Sequence, residues 1–498
     1  MATEIKPDES ALLFAAAEQR MLIGADWVGA ADGRTFEAYD PATGGVLGHV
    51  ARGGSEDIDR AVKTARAAFD SGPWKDMTAA ERGKAIHRLG DLVLEHGDEL
   101  ATLEALDNGK PLGVARVADV PLAADLFHYM SGWATKNTGQ TLSLNVPYMP
   151  GAKFHAYTLH EPVGVVGQII PWNFPLLMAA WKLGPALACG CTVVLKPAEQ
   201  TPLSALKLGE LILEAGIPPG VVNIVTGFGE ETGAPLAAHD EVDKIAFTGS
   251  TEVGKMIVQA AAGNLKKVSL ELGGKSPNVV FADADLEESI PGAANAIFFN
   301  HGQCCCAGSR LFAEESIYDE VVAGVAEHAK NIKVGSGLDP QTEMGPLVSN
   351  EQLDRVCGFL ESGQAEGAET VVGGGRIGDS GYFVEPTVLA GTNPRMKVEA
   401  EEIFGPVVTV KPFKSTEELV PSANQSHYGL AAGVWTNDIK KAHRTAAELK
   451  AGTVWINCYN VFDAAMPFGG YKESGWGREM GQDALELYTE VKAVCAQI

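Results

Sequence analysis

The sequence lacks the features that would tie it to nucleic acid, a membrane or the extracellular space. Its 498 residues hold 39 Lys and Arg against 64 Asp and Glu, a formal charge of −25. A protein that neutralises phosphates needs the opposite balance, so nucleic acid and anionic membrane surfaces are excluded as partners. The longest apolar stretch, Pro175–Leu195, is interrupted by Lys182, Pro185 and Gly190 and is no membrane span. The opening MATEIKPDES carries acids where a secretory signal carries a basic region and an apolar core. Eight cysteines are present without a CxxC pair, and the Cys-x-Cys and Cys-Cys-Cys spacings bridge poorly. Neither a disulfide framework nor a metal site is expected, and reduced thiols place the chain in a cytoplasm. Its length fits two or three domains with a large core.

What is present centres on Phe299–Arg310, FNHGQCCCAGSR. Clustered thiols oxidise easily, so a soluble protein gains little from them unless one reacts. Cys304 and Cys306 are expected on opposite sides of the element that carries them, leaving Cys305 to face a pocket or to share a direction with Gln303. A thiolate near backbone N–H groups attacks carbonyl carbon and is the side-chain nucleophile least handicapped at neutral pH. Inert buried cysteines and a thiolate metal site are the alternatives.

Along the chain, Ala11–Arg20 reads as a leading helix and Thr35–Val50 as two strands around DPATGG. Ser55 is expected to cap a helix running to about Phe69, with Ile58, Val62, Ala65 and Phe69 on one face. A longer helix follows Thr78, with Ile86, Leu89, Val93 and Leu94 inward, and helical patterns continue to about Lys136. This quarter reads as scaffold. From Gln140 to His160 alternation with Pro and Gly predicts a two-stranded ribbon, and alternation returns at Tyr488–Ile498; both are candidate assembly elements.

The middle repeats a βα pattern. Strands are predicted at Val163–Ile170, Thr192–Leu195, Val221–Val225, Lys244–Phe247 and Val268–Leu272, with helices at about 176–188, 202–215, 230–238 and 252–262. That pattern means a parallel sheet covered on both faces, whose ligands bind beyond the carboxyl ends of the strands. The segments there are PWNFP, KPAEQTP, TGFG, TGSTEVG and ELGGKSP. Asn173 reads locally as a helix cap, and Lys196 with Glu199 as a surface pair. Gly249, Ser250 and Gly254 resemble a phosphate-cradling turn without the GxGxxG spacing. Glu271 ends a strand in apolar company, where a carboxylate needs a task or a partner, and Gly273–Gly274 frees space around it.

PWNFP, KPAEQTP, FTGSTEVG, LELGGKSP, FNHGQCCCAGSR, EEIFGPV and PFGGYKESGWGRE occur in the order found in the NAD(P)-dependent aldehyde dehydrogenase superfamily, and the resemblance runs from about Leu22 to the end. It is strongest to the broad-specificity class 1 and class 2 enzymes and to bacterial aryl-aldehyde relatives. The resemblance implies an α/β fold: a Rossmann-like NAD-binding domain (1–139 and 163–273), an α/β catalytic domain (274–485) and a small β oligomerisation element (140–162 and 486–498). It implies Cys305 as nucleophile, Glu271 as general base, Asn173 as oxyanion donor with the Cys305 N–H, and Lys182 and Glu479 as a proton path. Lys196 and Glu199 would bind the adenosine ribose, Trp172, Gly249 and Ser250 would lie near the pyrophosphate, and Glu402 and Phe404 would hold the nicotinamide ribose and ring. Further cofactor contacts are implied at Ile169, Pro171, Gly229, Gly233, Phe247, Gly254 and Leu272.

Glu199 would accept from a ribose 2′-OH and repel a 2′-phosphate, which favours NAD over NADP. The implied substrate tunnel is Phe174, Met178, Trp181, Phe299, Phe462 and Phe468, narrowed by Cys304 and Cys306. Aromatic walls with no Arg point to an uncharged apolar aldehyde, aliphatic or aryl, rather than a semialdehyde; a semialdehyde or betaine-aldehyde dehydrogenase is the alternative within the family. His301 enters the surroundings of the nucleophile, and Asp463 adds a charge beside the tunnel. The resemblance also implies a cytoplasmic homotetramer, a dimer of dimers. Outside it stand a thiol esterase or amidase, which has no need of Glu199 or Glu402, and a structural protein of enzyme ancestry.

Overall fold

Every residue of Val165–Ile169, Thr192–Lys196 and Lys244–Thr248 is buried, as strands covered on both faces must be. A computed structural model describes residues 6–498; the opening residues 1–5 of the expected NAD-binding segment lie outside it. These strands form the centre of an eight-stranded sheet. Its order is Asp26–Val28, Met21–Ile23, Val222–Ile224, Thr192–Lys196, Val165–Ile169, Lys244–Thr248, Lys267–Glu271 and Gly475–Trp476. The five middle strands are parallel, and antiparallel strands close both edges.

Chain order reverses at Val165–Ile169. The next two strands are laid on one side and the following two on the other, so the crevice beside Lys244–Thr248 is the topological switch point. Helices Pro175–Cys189, Leu203–Glu214 and Thr251–Ala261 cross between strands as predicted. The first is buried along its whole length and stops at Gly190, whose φ of +93 ends it without side-chain strain. The helix predicted at 230–238 is instead a π-helical turn, Gly229–Gly233, followed by Ala234–Ala238.

The second sheet has seven strands, in the order Glu369–Val372, Thr387–Ala390, Val407–Phe413, Arg310–Glu314, Pro277–Val280, Ala431–Trp435 and Thr453–Ile456. All its pairings are parallel except the one at the Glu369 edge. A third, three-stranded sheet pairs Phe154–Pro162 with both Thr489–Gln497 and Thr141–Leu142. The two stretches read as candidate assembly elements are thus neighbours within one chain. The expected ribbon contributes one long strand and a two-residue one.

Local corrections follow from hydrogen bonds and helix phase. The leading helix is Glu9–Ala16, capped by Asp8. Ser55 is already helical in Ser55–Ser71; the cap position is Gly54, whose N–H donates to the Asp57 carboxylate at 3.0 Å. Ala68 rather than Phe69 completes that helix's buried face. In Ala79–Glu95, Leu92 is buried and Leu94 faces outward, because the inward stripe advances by three after Leu89. Thr78 caps this helix reciprocally with Glu81. Among the described residues no helix is long and apolar enough to cross a membrane.

Candidate active site

The cysteine segment follows helix Leu286–Phe298 through a turn in which Asn300, His301 and Gly302 all have positive φ (49, 60 and 68). Gly302 has no substitute there, since a Cβ would fall 2.0 Å from the Gly405 carbonyl oxygen. The buried Gln303 side chain accepts from the Val348 N–H at 3.0 Å, and the Ala307 N–H donates to the Cys304 carbonyl at 3.0 Å. The resulting tight turn curls the three cysteines together. Cys304 and Cys306 therefore point the same way, their sulfurs 3.4 Å apart, and the expectation of opposite sides is corrected. That expectation fits a helix, where residues two apart lie roughly 200° around the axis, and not this turn. All three line one cavity, and Cys305 alone of the three is partly exposed.

Hydrogen bonding with Cys304 holds the Cys305 thiol above the ordinary range, and burial adds to the effect. His301 is buried with Nε2 unpartnered, and its pKa is lowered to about 3, by burial first and then by the nearby Lys110 charge.

Asn173 is not a side-chain cap: Phe174 occupies the cap of the following helix. Instead Asn173 Nδ2 donates to the Gln303 carbonyl at 3.1 Å, fixing the amide beside the cysteine turn. Its own carbonyl accepts from Asn300 Nδ2 at 3.1 Å and from Lys110 Nζ at 3.2 Å, and the Trp172 carbonyl accepts from Asn108 Nδ2 at 2.8 Å. Lys110 is buried between Asp119 and Glu104. The first quarter of the chain is therefore not scaffold alone, since Asn108, Lys110 and Asp119 set the backbone that carries Asn173. The signal was DNGKP, three polar side chains closing an apolar helical run.

Glu271 ends the strand Lys267–Glu271 inside the cavity wall, with Oε2 buried and unpartnered. Burial pushes its carboxyl well above the usual range, and the Glu479 charge pushes it further. Behind it, Lys182 Nζ and Glu479 Oε1 form a buried pair at 2.6 Å, and Glu479 Oε2 is unpartnered. The space at Gly273 and Gly274 serves other groups than expected. A Cβ at Gly273 would meet Glu402 Oε2 at 2.1 Å, and one at Gly274 would meet the Cys305 carbonyl at 2.2 Å. Glu402 accepts from the Gly274 N–H at 2.9 Å, and burial raises its pKa to about 7.

The remaining sequence-predicted residues gather along the carboxyl edge of the first sheet. Pro171, Trp172, Gly249, Ser250, Leu272, Glu402 and Phe404 line the cavity. Trp172 and Phe404 meet edge to face at 5.1 Å. Ile169, Lys196, Glu199, Gly229, Gly233, Phe247 and Gly254 stand outside the cavity lining. Lys196 and Glu199 pair at 3.0 Å. Ser250 caps helix Thr251–Ala261, leaving a helix N-terminus at the switch point. Gly249 and Gly254 give way to the Phe247 ring and Leu272, Gly233 faces Ile169, and Gly229 opens on free space. Thr248 Oγ1 is buried and unpartnered beside them. A carboxylate, a lysine, a helix N-terminus and an orphaned hydroxyl on one sheet edge fit a dinucleotide.

The whole cavity has a volume of about 460 Å³, and much of its remaining wall is aromatic. Trp181 packs on Phe468 at 5.4 Å and on Phe462 at 6.0 Å, and Phe174 stacks on Phe299 at 6.2 Å. Met178 completes this wall, and Leu177 and Tyr459 join it unanticipated. One arginine, Arg355, does line the cavity, but it donates to the Glu402 carbonyl at 2.8 Å, away from the aromatic walls. Asp463 is exposed and turns its carboxylate onto the Ala465 N–H at 2.8 Å.

Comparisons agree with this architecture. Residues 27–494 match the family model described as aldehyde dehydrogenase family. Human mitochondrial aldehyde dehydrogenase is 52% identical over 481 residues, covering 96% of this chain and 92% of its own. The NAD+ complex structure of an aldehyde dehydrogenase from Bacillus cereus superposes with a TM-score of 0.97 at 54% identity, covering 100% of both chains. A betaine aldehyde dehydrogenase from Staphylococcus aureus, solved with NAD+, gives 0.94 at 42% identity over 98% of this chain and 97% of its own. Matched along almost its whole length in both sequence and fold, the chain is an oxidoreductase and belongs to the aldehyde dehydrogenase family.

Proposed function

We propose that the chain oxidises an uncharged apolar aldehyde, aliphatic or aryl, to the carboxylic acid with NAD. The observation that carries this reading is the meeting of Cys305, Asn173 and Glu271 in one aromatic-walled cavity that opens onto the dinucleotide edge. Cys305 gives up its thiol proton to water in the open cavity, and the thiolate sulfur attacks the aldehyde carbon. The negative oxygen of the thiohemiacetal is held by the Asn173 amide and the Cys305 N–H; such donors are worth about 3–4 kcal/mol each. Bound NAD supplies the acceptor for the hydride released as the thiohemiacetal becomes a thioester, and a positive ring whose charge favours the Cys305 thiolate. Glu271 then takes a proton from water, which hydrolyses the thioester. Lys182 and Glu479 carry that proton away from the carboxylate.

For the cofactor, Lys196 and Glu199 would hold the adenosine ribose, Ser250 and Gly249 the pyrophosphate, and Glu402 with Phe404 the nicotinamide side. A Glu199 carboxylate at the ribose repels a 2′-phosphate, which supports NAD over NADP. The proposed division is an NAD-binding domain (1–139, 163–273), a catalytic domain (274–485) and an oligomerisation element (140–162, 486–498). We place the enzyme in a cytoplasm, as eight free cysteines support, and as a homotetramer.

A second reading, an aldehyde bearing a quaternary ammonium, is favoured by the Trp181, Phe462 and Phe468 rings, which could face a cation. The test is NADH formation with hexanal, benzaldehyde, phenylacetaldehyde, betaine aldehyde and succinic semialdehyde. The apolar three should give the highest kcat/KM. A preference for betaine aldehyde would support the second reading, one for the semialdehyde would defeat both, and ester cleavage without NADH would indicate a thiol esterase.

A further inference from the structure

Away from the cavity, helices Ala79–Glu95 and Val120–Trp133 bring together three side chains that the chemistry above does not use. His87 and Asp91 stand four residues apart on the first helix and so share a face. His128 reaches them from the second. Their candidate ligand atoms all lie within 4.8 Å of one another. His128 Nε2 is 3.0 Å from Asp91 Oδ1, and the His87 and His128 rings lie 4.5 Å apart, tilted by 37°. The helix surface is cut to admit this arrangement. A Cβ at Gly90 would fall 2.5 Å from the His128 ring, and one at Gly83 would fall 2.8 Å from the Ser131 carbonyl oxygen. The neighbouring guanidinium, Arg88, is taken by Glu95 at 2.6 Å.

We propose that His87, Asp91 and His128 bind one divalent transition-metal ion, of which zinc suits the donors best. Two imidazoles and one carboxylate are the ligand types that zinc takes, with the fourth tetrahedral position left to water; calcium and magnesium favour oxygens throughout. Bonds of about 2.0–2.1 Å place tetrahedral donors roughly 3.3 Å apart. The edge between His128 and Asp91 is already that short, and His87, exposed on its helix, closes the triangle by turning its ring. The ion would tie the first helix to the second. Val120–Trp133 also carries Leu122, which with Asp119 lines the aldehyde cavity, so the clamp steadies one wall of the tunnel from outside.

The test titrates the full chain with Co2+ as a visible probe and then displaces it with Zn2+. One equivalent should bind with the absorption of nitrogen and oxygen ligation, lacking the sulfur charge-transfer band that the cysteines would give. Affinity should fall by roughly 10-fold or more in His87→Ala, His128→Gln and Asp91→Asn. Zn2+ should raise the Tm of the wild-type chain and leave those of the variants unmoved. Without added metal all three should oxidise aldehyde as the wild type does. No binding, a thiolate charge-transfer band, or a titration unchanged in the variants overturns the site.

Discussion

Glu271 carries a buried oxygen without a partner, a costly state that its proposed task as a base explains. Glu271→Gln keeps the shape and removes the base. A rapid-mixing experiment should show the first burst of NADH intact, while steady turnover falls by about 10²–10⁴-fold. Only the deprotonated carboxylate can accept a proton, and burial holds its pKa well above the usual 4.5. Turnover should therefore rise with pH through that elevated value. His301 links pH to stability instead. Its pKa drops from the ordinary 6.5 to about 3, so between those values the unfolded chain binds a proton that the folded one refuses. Its contribution is whole above pH 6.5 and is lost as the pH falls toward 3. His301→Gln should flatten the decline of Tm across that window.

Between elements, Lys110 joins the helical first quarter to the loop that carries Asn173. Lys110→Met leaves Asp119 and Glu104 buried without their cation and should cost about 3–5 kcal/mol in urea unfolding. It should also lower kcat, because the Asn173 carbonyl loses a donor. This part of the site was hidden in the sequence, since a lysine after a helix reads as surface until its burial is known. The five parallel strands of the first sheet were legible to within two residues at each end, because runs buried on both faces have little alternative, whereas the short antiparallel strands Met21–Ile23, Asp26–Val28 and Gly475–Trp476 were not read. Their carboxyl ends were legible with them, so the strand-end loops were found by position. The cysteine turn was not: whether residues two apart agree or oppose in direction depends on a backbone held by Gln303 and Gly302, far from any periodicity. Capping failed similarly, for Ser55 and Asp57 both suit a helix start and only the Gly54 hydrogen bond separates them.

For the whole molecule, the small sheet presents Thr489–Gln497 along a free edge, with Val491 and Ile498 exposed. An unpaired edge is a template for another chain. In a molecule with a formal charge of −25, such contact must overcome mutual repulsion, so assembly should strengthen with salt. Deleting 490–498 should convert the proposed tetramer to smaller species in sedimentation, while the deleted strand leaves the cavity lining untouched. The proposed chemistry puts the acyl group on Cys305 sulfur, the partly exposed thiol of the cavity. The most direct measurement mixes Glu271→Gln with NAD and a good aldehyde, quenches in acid, and maps the trapped thioester by peptide mass spectrometry. The acyl mass should sit on Cys305 and vanish in the Cys305→Ala, Glu271→Gln double variant. An adduct on Cys304 or Cys306, or NADH release with no adduct at all, would contradict the account.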